Sequence, residues 1–538
     1  MKNTKAALIT LAILISSISL YATVKIIPQP NNIQMGEGVY KINRKTAVIS
    51  GENTLNEANF LSAILGKGFG EEGKIKSTGK GIVLRLNASL KNQLGDEGYN
   101  LTITADQVII EGSTAAGVFY GIQTFRQLLP ANFEFTPSKK QEVLIPVLKI
   151  TDKPRFVHRE FLFDEARHFK GMHEVKRLLD QMALIKMNVF HWHLTDDQGW
   201  RLEIKKYPKL TEVGAFRKDT QAEKKSPKRT GKPHGGFYTQ EQIKELINYA
   251  TERHIKVVPE IEMPGHASAA IASYPWLGTN STLTEVPVVF GKLEDCFNVA
   301  DPKVYQFIED VLTEVFELFP SKEIHIGGDE VKFGAWKNSE YVQAMMKKEG
   351  LKTPADLQIF FTNKISNFIH KNGRRMIGFN EILGGNVHAW REAEDVDVKE
   401  KLAPSVIINF WKGSFDLMKE ALSGGYEIIN SEHIHTYLDY PYEVIPLKKA
   451  YAFNPIPEEL DKKYHHQVLG SGCSMWSEWI PTIQGMHKQI FPRLAAYAEV
   501  GWTQTSEKDF ERFTKSLKDL KIRWNFLGIS FTEEPDKN

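Results

Sequence analysis

The rhythm of hydrophobic and polar residues changes once along the chain, near residue 150. Between residues 23 and 150, β-type runs such as "IVLRLNASL" and "GYNLTITADQVIIEGS" precede a helical pattern, "TAAGVFYGIQTFRQLL". Strands followed by a helix in so short a segment predict a small α+β domain over residues 23–150.

From residue 151, apolar strand-like runs alternate with amphipathic helical patterns such as "YTQEQIKELINYATERH" and "KVYQFIEDVLTEVFELF". The strand-like runs are "RFVHREFLFDEARHF", "NVFHWHLT", "IKVVPEIEM", "EIHIGGDE", "RMIGFNEI", "SVIINFW", "YEIINS" and "VLGSGCSMW". Eight βα units predict a (β/α)8 TIM barrel over residues 151–510. The pattern "EKDFERFTKSLKDLKIRWNFLGISF" predicts a C-terminal helix and tail, residues 511–538, packed on that barrel.

The first 22 residues have the pattern of a secretory signal peptide. Lys2 and Lys5 precede an apolar run over residues 6–20, and Ala22 supplies a small residue for cleavage. The alternative is an N-terminal membrane anchor, but the run is shorter than the roughly 20 residues of a spanning helix. We therefore expect an exported protein, periplasmic or secreted, with no membrane span after cleavage.

Composition narrows the function classes. The 538 residues include 42% hydrophobic and 25% charged residues, which is ordinary for a soluble globular protein. The formal net charge of +2, from 68 basic and 66 acidic residues, gives no case for a nucleic-acid partner. The two cysteines, Cys296 and Cys473, are too few for a disulfide framework or a zinc site, so we expect two small buried residues, with a single disulfide as the alternative.

Polar and aromatic residues follow almost every predicted barrel strand. Because the sites of such barrels lie at the C-terminal ends of the strands, these side chains are predicted to meet on one face. They are Asp164, Arg167, His193, Asp196, Asp197, Glu260, Glu262, Asp329, Glu330, Asn380, Glu381, Trp411, Glu432, Trp476 and Glu478. Core packing alone does not explain polar tips on so many successive strands.

Two adjacent acids, Asp329 and Glu330, follow Gly327 and Gly328 in "KEIHIGGDEV". Neighbouring strand residues point to opposite faces, but glycines let the chain leave strand geometry, so both acids are predicted to reach one pocket. Two close carboxyls raise the pKa of one of them, which gives a proton donor beside an ionised partner. The alternative is a helix N-cap with a first-turn acid.

Several motifs in a fixed order carry a resemblance to a known family. "DEARHF", "FHWHLTDDQGW", "PEIEMPGH", "HIGGDE", "YLD" and "MWSE" resemble glycoside hydrolase family 20, the β-N-acetylhexosaminidases. The resemblance covers nearly the whole chain after residue 22 and implies a retaining mechanism in which the 2-acetamido group of the substrate attacks the anomeric carbon. It implies Glu330 as general acid and then base, and Asp329 as the residue that orients the acetamido group and stabilises its charge.

The same resemblance implies the rest of the site. Tyr437 resembles the tyrosine that binds the acetamido oxygen, and Asp196 with His266 resembles a relay that ends on Glu330. Sugar hydroxyls would be held by Arg167, Asp439 and Glu478, and the pocket walls would be Trp411, Trp476 and Phe379. Taken one at a time, these residues also suit surface ion pairs, a structural histidine and core aromatic residues.

The chain departs from the family pattern in "GFNE", where Phe379 and Asn380 replace the tryptophan and aspartate of "GWDE", and at Glu262, where aspartate is common. The motif "HWH" puts His191 and His193 on one strand face, which raises the question of a metal. The spacing identifies no third ligand and the resemblance implies no metal or other cofactor, so packing and hydrogen bonding are the favoured interpretation.

The predicted partner is a glycan with a terminal β-linked N-acetylhexosamine. A same-mechanism lacto-N-biosidase or a hydrolase of sulfated amino sugars is an alternative, and a catalytically silent carbohydrate-binding protein is another. The loop at residues 217–232 carries Arg217, Lys218, Lys224, Lys225, Lys228, Arg229 and Lys232. It suits acidic glycans, although such a charge-rich loop is usually solvated surface.

Overall fold

The computed structural model describes residues 24–385, 387–388 and 402–533. The signal-peptide prediction therefore lies outside the described residues. Within them, no helix combines the length and the apolar character that crossing a membrane requires.

The N-terminal part forms one mixed sheet of seven strands in the order β1-β7-β5-β6-β4-β2-β3. Its strands are β1 (Asn32–Ile42), β2 (Ala47–Ile49), β3 (Lys74–Lys76), β4 (Ile82–Leu86), β5 (Tyr99–Ile103), β6 (Val108–Gly112) and β7 (Val143–Asp152). The helices Leu55–Phe69 and Ala115–Leu128 pack against the sheet with buried apolar faces. The α+β prediction is confirmed, although the sequence pattern predicted only β4, β5, β6 and the second helix.

Eight parallel strands close a barrel, as the sequence predicts. They are β8 (His158–Asp164), β9 (Val189–His193), β10 (Lys256–Glu260), β11 (Glu323–His325), β12 (Arg375–Phe379), β13 (Ile407–Phe410), β14 (Glu427–Asn430) and β15 (Val468–Met475). Each lies within one of the eight predicted runs. Their residues are almost all buried, because helices cover the outside of the barrel while side chains fill its interior.

Helices that connect or flank the barrel strands supply the outer layer. The longer ones are Met172–Leu184, Gln240–Thr251, Pro302–Leu318, Glu340–Glu349, Pro354–Lys371, Phe415–Ser423, Ile483–Ile490, Arg493–Trp502 and Phe510–Leu527. Shorter helical segments around the barrel are Lys209–Glu212, Ser268–Ser273, Gly334–Asn338, Asn380–Leu383, His433–Thr436 and Leu447–Ala452, while Lys91–Leu94 belongs to the N-terminal part. Thr239 and Thr353 begin two of the longer helices with reciprocal capping boxes, which fixes where those helices start.

A buried polar cluster joins the two parts of the chain. Lys186, which is fully buried, places its Nζ 3.1 Å from Asp152 Oδ2 at the end of β7 and 2.9 Å from Tyr99 Oη. The Trp502 indole donates to both Asp152 oxygens at 3.0 Å, and Lys186 Nζ lies 4.3 Å from its ring centre. The sheet, the barrel and a C-terminal helix therefore share one buried ion pair.

Candidate active site

The two adjacent acids lie just beyond the C-terminal end of β11. Gly327 and Gly328 have φ values of 65° and 89°, and Glu330 has φ 53°, so the chain leaves strand geometry here. A Cβ at position 327 would lie 1.7 Å from Glu262 Oε2, which only glycine avoids. One carboxylate oxygen of Asp329, one of Glu330 and one nitrogen of His266 lie within 4.8 Å of each other, so both acids face one space.

Asp329 is a partly buried acid whose Oδ1 atom is buried and unused as an acceptor. Its Oδ1 atom has no hydrogen-bond partner among the described residues. Burial raises the pKa of Asp329 to about 7, helped by the nearby carboxyls of Glu381 and Glu330 and opposed by His266. A ligand N–H that donates to Oδ1 would favour the ionised form.

Glu330 has two positively charged neighbours. Lys292 Nζ lies 2.9 Å from Oε1, and His266 Nε2 lies 3.7 Å from Oε2. Burial opposes ionisation, but these two groups outweigh it and hold the pKa of Glu330 down at about 2. One raised pKa beside an ionised partner agrees with the sequence prediction, but the raised pKa belongs to Asp329 and not to Glu330, the expected proton donor.

His266 connects Glu330 to a second pair of acids. Its Nδ1 lies 3.2 Å from Asp197 Oδ2 and 3.5 Å from Asp196 Oδ1. Burial disfavours the imidazolium, yet Asp196 and Asp197 raise the pKa of His266 well above its usual range. Asp197, which also accepts from Ser268 Oγ at 2.6 Å, was a predicted strand-tip residue without an assigned role. In the structure Asp197 is the carboxylate nearer to His266, and the predicted Asp196 is the more distant one.

Arg167, Asp439 and Glu478 form a charged group beside the acids. Arg167 Nη2 lies 2.6 Å from Asp196 Oδ2, and its Nε is buried without a hydrogen-bond partner among the described residues. Burial raises the pKa of Glu478, and burial together with Glu478 raises the pKa of Asp439 well above its usual range. Asp439 Oδ1 is likewise buried and unpartnered within the described part. Buried donors and acceptors left open in this way suit a polar ligand.

Aromatic side chains enclose the same space. Phe379, Trp411 and Tyr437 belong to one buried cluster with Leu162, and Trp476 and Tyr440 pack against it. The rings of Trp411 and Tyr437 are nearly parallel at 6.1 Å, and Trp476 lies 6.0 Å from Tyr437. The structure therefore brings together all three predicted wall residues and the predicted tyrosine.

The departure "GFNE" has a structural explanation. Asn380 Oδ1 accepts from the Trp411 backbone N–H at 3.2 Å, while its Nδ2 donates to the Lys412 carbonyl at 2.9 Å. An ionised aspartate has no donor for that carbonyl. Glu381 Oε2 accepts from the Trp411 indole at 2.9 Å, so the two residues after Phe379 fix the backbone and the ring of a wall residue.

The histidines of "HWH" form a charged chain inside the barrel. His191 lies 3.1 Å from both Glu160 Oε1 and Glu260 Oε2, and His193 lies 2.5 Å from Glu260 Oε2 and 2.9 Å from Asp196 Oδ2. Burial opposes protonation, but these carboxylates outweigh it and raise the pKa of His191 to about 9 and that of His193 to about 10. His191 and Glu260 also place ligand atoms within 4.8 Å of one from His325, a third group that the spacing did not show. Direct contacts to carboxylates therefore explain why the two histidines lie here, as members of a polar network inside the barrel.

Two other predicted features are the basic loop and Glu432. Arg217, placed by sequence in a solvated loop, is only 2% exposed and donates to Thr220 Oγ1 and to the Gln198 carbonyl. Lys218 and Lys228 are exposed and paired with Glu285 and Glu223. Glu432 contacts His435 at 2.5 Å and lines a separate cavity of about 530 Å³ next to Phe410 and Phe453.

Cys296 and Cys473 are free and buried, which excludes the alternative of a disulfide.

Family comparisons cover nearly all of the described chain. The catalytic domain of glycosyl hydrolase family 20 matches residues 156–505, and domain 2 of the same family matches residues 23–153. A beta-hexosaminidase of Porphyromonas gingivalis is 36% identical over 94% of this chain, which spans 64% of that protein's length. A beta-N-acetylhexosaminidase of Cellulomonas fimi is 27% identical over 95% of this chain and 96% of its own length.

Solved structures agree with the family match. The GH20 exo beta-N-acetylglucosaminidase of Vibrio harveyi, in complex with N-acetylglucosamine, is 30% identical and superposes with a TM-score of 0.82, covering 95% of this chain and 78% of that one. Together with the barrel and the two adjacent acids, these matches establish that the chain belongs to glycosyl hydrolase family 20.

Proposed function

We propose that this chain is an exo-acting β-N-acetylhexosaminidase, which releases terminal N-acetylglucosamine or N-acetylgalactosamine from the non-reducing ends of glycans. One observation carries the proposal. Asp329 and Glu330 lie side by side at one strand end, and Asp329 presents a buried, unpartnered acceptor. The Porphyromonas and Cellulomonas relatives support the reaction, and the Vibrio harveyi complex supports the sugar.

The position of the acids favours participation by the substrate. A retaining glycosidase with its own nucleophile needs two carboxyl groups on opposite sides of the scissile bond. Asp329 and Glu330 follow each other in the chain and have oxygens within 4.8 Å of a shared nitrogen, so they serve one side. The 2-acetamido oxygen of the sugar then supplies the nucleophile.

The first step forms a bond between the acetamido oxygen and the anomeric carbon while the bond from that carbon to the glycosidic oxygen breaks. Glu330 gives its proton to the departing oxygen, and the positive charge spreads over the resulting oxazolinium ring. In the second step Glu330 takes a proton from water, the water oxygen attacks the anomeric carbon, and the bond to the acetamido oxygen breaks. Two displacements at one carbon retain its configuration.

Asp329 and Tyr437 hold the reacting group in this account. Asp329 Oδ1 accepts the acetamido N–H, and the ionised carboxylate then faces the charge that develops on the ring. Tyr437 is kept neutral because burial and the neighbouring Asp329 raise its pKa well above its usual range, so its hydroxyl donates to the acetamido oxygen. Asp196 and His266 position Glu330.

The remaining side chains bind the sugar. Arg167 Nε and Asp439 Oδ1 offer open hydrogen-bonding atoms for hydroxyl groups, and Glu478 adds a carboxyl near them. Phe379, Trp411 and Trp476 present ring faces to the apolar C–H faces of a pyranose and exclude water.

Export and domain division complete the proposal. We infer that residues 1–22 direct export and are removed, because Lys2 and Lys5 precede an apolar run of the length that signal peptides have. We also infer a division at residue 150 between a small domain and the catalytic barrel, with residues 511–538 as the C-terminal segment, which the structure describes as far as residue 533. The last strand of the small sheet, β7, ends at Asp152, and the first barrel strand, β8, begins at His158. These positions support a division between the two domains close to residue 150.

Hydrolysis of two chromogenic substrates tests the activity. The β-N-acetylglucosaminide and the matching β-glucoside differ only at the 2-acetamido group, so the proposal expects rapid cleavage of the first and almost none of the second. Comparable cleavage of both would contradict substrate assistance. Binding of N-acetylglucosamine with no turnover of aryl or natural glycosides would instead identify a carbohydrate-binding protein.

A further inference from the structure

Four basic side chains, which we call the basic cluster, lie together beside the proposed sugar-binding residues. They are His168, Lys170, Arg217 and His234. Arg217 pairs with His234 across a short antiparallel ribbon, and the ring centres of His234 and His168 are 5.1 Å apart. Lys170 Nζ lies 3.1 Å from the carbonyl oxygen of His168. Because His168 directly follows Arg167 in the chain, the basic cluster borders the sugar site.

Carboxylates do not balance the charge of the basic cluster. Asp164 and Glu165 are the acids that act on it, but other groups already use their oxygens. Asp164 accepts three hydrogen bonds at 2.9–3.1 Å from Arg167 and Ser477, and Glu165 accepts four at 2.6–2.9 Å from backbone and side-chain donors. Among the described residues, no carboxylate forms an ion pair with a member of the basic cluster. The cluster therefore carries excess positive charge.

Arg217 is the member with an unused buried donor. Its Nε donates to Thr220 Oγ1 at 2.8 Å and its Nη1 to the Gln198 carbonyl at 3.1 Å, while Nη2 is buried with no hydrogen-bond partner in the described part of the chain. The guanidinium lies 5.6 Å from the centre of the Phe290 ring, which is a neutral contact. Burial and the charge of Arg201 lower the pKa of Arg217 to about 9. A buried cation without a counter-ion is costly, so this arrangement suits an anionic ligand.

The two histidines each keep one ring nitrogen for a ligand. His168 Nδ1 donates to the Ser477 carbonyl at 2.7 Å, and His234 Nε2 accepts from the Phe169 N–H at 2.9 Å. His234 Nδ1 therefore carries a proton that it can donate. Burial and the charges of the neighbouring basic groups lower the pKa of His168 to about 2 and that of His234 to about 3. An anion would relieve this repulsion between positive groups.

We propose that the basic cluster binds a tetrahedral oxyanion, sulfate or phosphate, either as the free ion or as an ester on the terminal sugar. Arg217 Nη2 and His234 Nδ1 donate to its oxygens, and Lys170 adds positive charge. These groups come from two separate segments, which suits an anion with oxygens in four directions better than a planar carboxylate. His234 and Lys170 are partly exposed, so the anion enters from solvent. The site does not depend on the proposed function, whereas its use by an esterified sugar rests on that function.

Contacts between the cluster and the sugar site indicate which ester would reach it. The His168 backbone N–H donates to Ser477 Oγ at 3.1 Å. His168 follows Arg167, and Ser477 precedes Glu478, so both residues of this contact adjoin a proposed hydroxyl-binding residue. A hydroxyl bound by Arg167 or Glu478 is therefore the position on the sugar from which an ester reaches the basic cluster.

Titration calorimetry of the full-length protein tests the site, with sodium sulfate as the probe and ionic strength held constant with sodium chloride. We expect saturable sulfate binding that weakens at least about 10-fold in R217M and in K170M, since each loses a positive charge that faces the anion. R85M is the control, because Arg85 is exposed near Glu111 in the small domain, and it should bind sulfate like the unmodified protein. If R217M does not fold, K170M and the unmodified protein still decide. No saturable heat in the unmodified protein, or equal sulfate affinity in K170M and R85M, would overturn the site.

Sulfated substrates identify the source of the anion. The 4-nitrophenyl N-acetyl-β-glucosaminides with sulfate on the 3-, 4- or 6-hydroxyl are compared with the unsulfated compound. If the ligand is an ester, kcat/KM for one sulfated isomer should fall in K170M at least about 10-fold more than kcat/KM for the unsulfated compound. Sulfate binding without such a difference upholds the site for the free ion and rejects the ester. Sulfate binding in a protein that hydrolyses no N-acetylhexosaminide upholds the site and rejects the proposed function.

Discussion

Asp329 and Glu330 are neighbours in sequence with opposite electrostatic surroundings. Burial and the neighbouring carboxyls raise the pKa of Asp329. The positive charges of Lys292 and His266 lower the pKa of Glu330. The sequence predicted both acids because the "GGDE" motif follows a strand. It did not predict Lys292, since that residue lies in a loop whose composition has no periodic signal and whose approach to Glu330 depends on how the chain folds back.

Substituting Asp329 with Asn should lower kcat/KM strongly while changing the stability of the fold much less. The amide keeps the size of the side chain but cannot carry the negative charge that faces the oxazolinium ring, so kcat/KM for an N-acetylglucosaminide should fall about 10²–10³-fold. D416N, at an exposed helix position, is the control and should leave kcat/KM unchanged. Unaltered kcat/KM in D329N would remove Asp329 from the mechanism.

The secondary-structure elements differ in how much the sequence reveals. The eight barrel strands were predicted because their apolar bodies are buried on both faces and end in polar residues. The long strands β1 and β7 were missed, since both pair in an antiparallel ribbon at the sheet edge with mixed burial and no clean alternation. The end of β11 is a third case, where two glycines predicted a departure from strand geometry but not the close approach of Glu262 to Gly327.

Gly327 is predicted to be essential for the shape of this strand end. G327A combines an unfavourable positive φ with a Cβ 1.7 Å from Glu262 Oε2, so both stability and activity should fall. G373A separates the two effects, because Gly373 has φ 71° but open space around its Cβ position. Guanidinium unfolding should show a loss of about 1 kcal/mol for G373A and a larger one for G327A. Equal losses of unfolding free energy in the two variants would mean that the Glu262 side chain can move aside at little cost.

At the scale of the molecule, buried ion pairs and hydrogen bonds join the small domain to the barrel and stabilise it. Besides the Lys186–Asp152 pair, Arg159 of β8 makes two hydrogen bonds to Glu97 at 2.8 and 2.9 Å. Arg523 of the C-terminal helix donates to Glu134 at 2.8 Å. The sequence predicted the domains but not these contacts, because they join residues 34 to 389 positions apart and no sequence pattern pairs such residues before the chain is folded.

Breaking the shared ion pair should destabilise both parts. K186M keeps the length of the side chain but leaves Asp152 buried without its ammonium, which should cost about 3–5 kcal/mol in guanidinium unfolding. K176M removes an exposed lysine that pairs with Glu245 and should cost less than about 1 kcal/mol. If K186M loses no more unfolding free energy than K176M, the contact between the small domain and the barrel does not depend on the Lys186–Asp152 pair.

Substrate assistance is the central claim, and the nucleophilicity of the acetamido oxygen tests it most directly. Aryl 2-deoxy-β-glucosaminides with acetyl, fluoroacetyl, difluoroacetyl and trifluoroacetyl groups on nitrogen have nearly the same size but progressively weaker carbonyl nucleophiles. The account predicts that kcat/KM falls steeply and steadily along this series. A flat series, with all four cleaved at similar rates, would contradict it and require a carboxylate of the protein as the nucleophile.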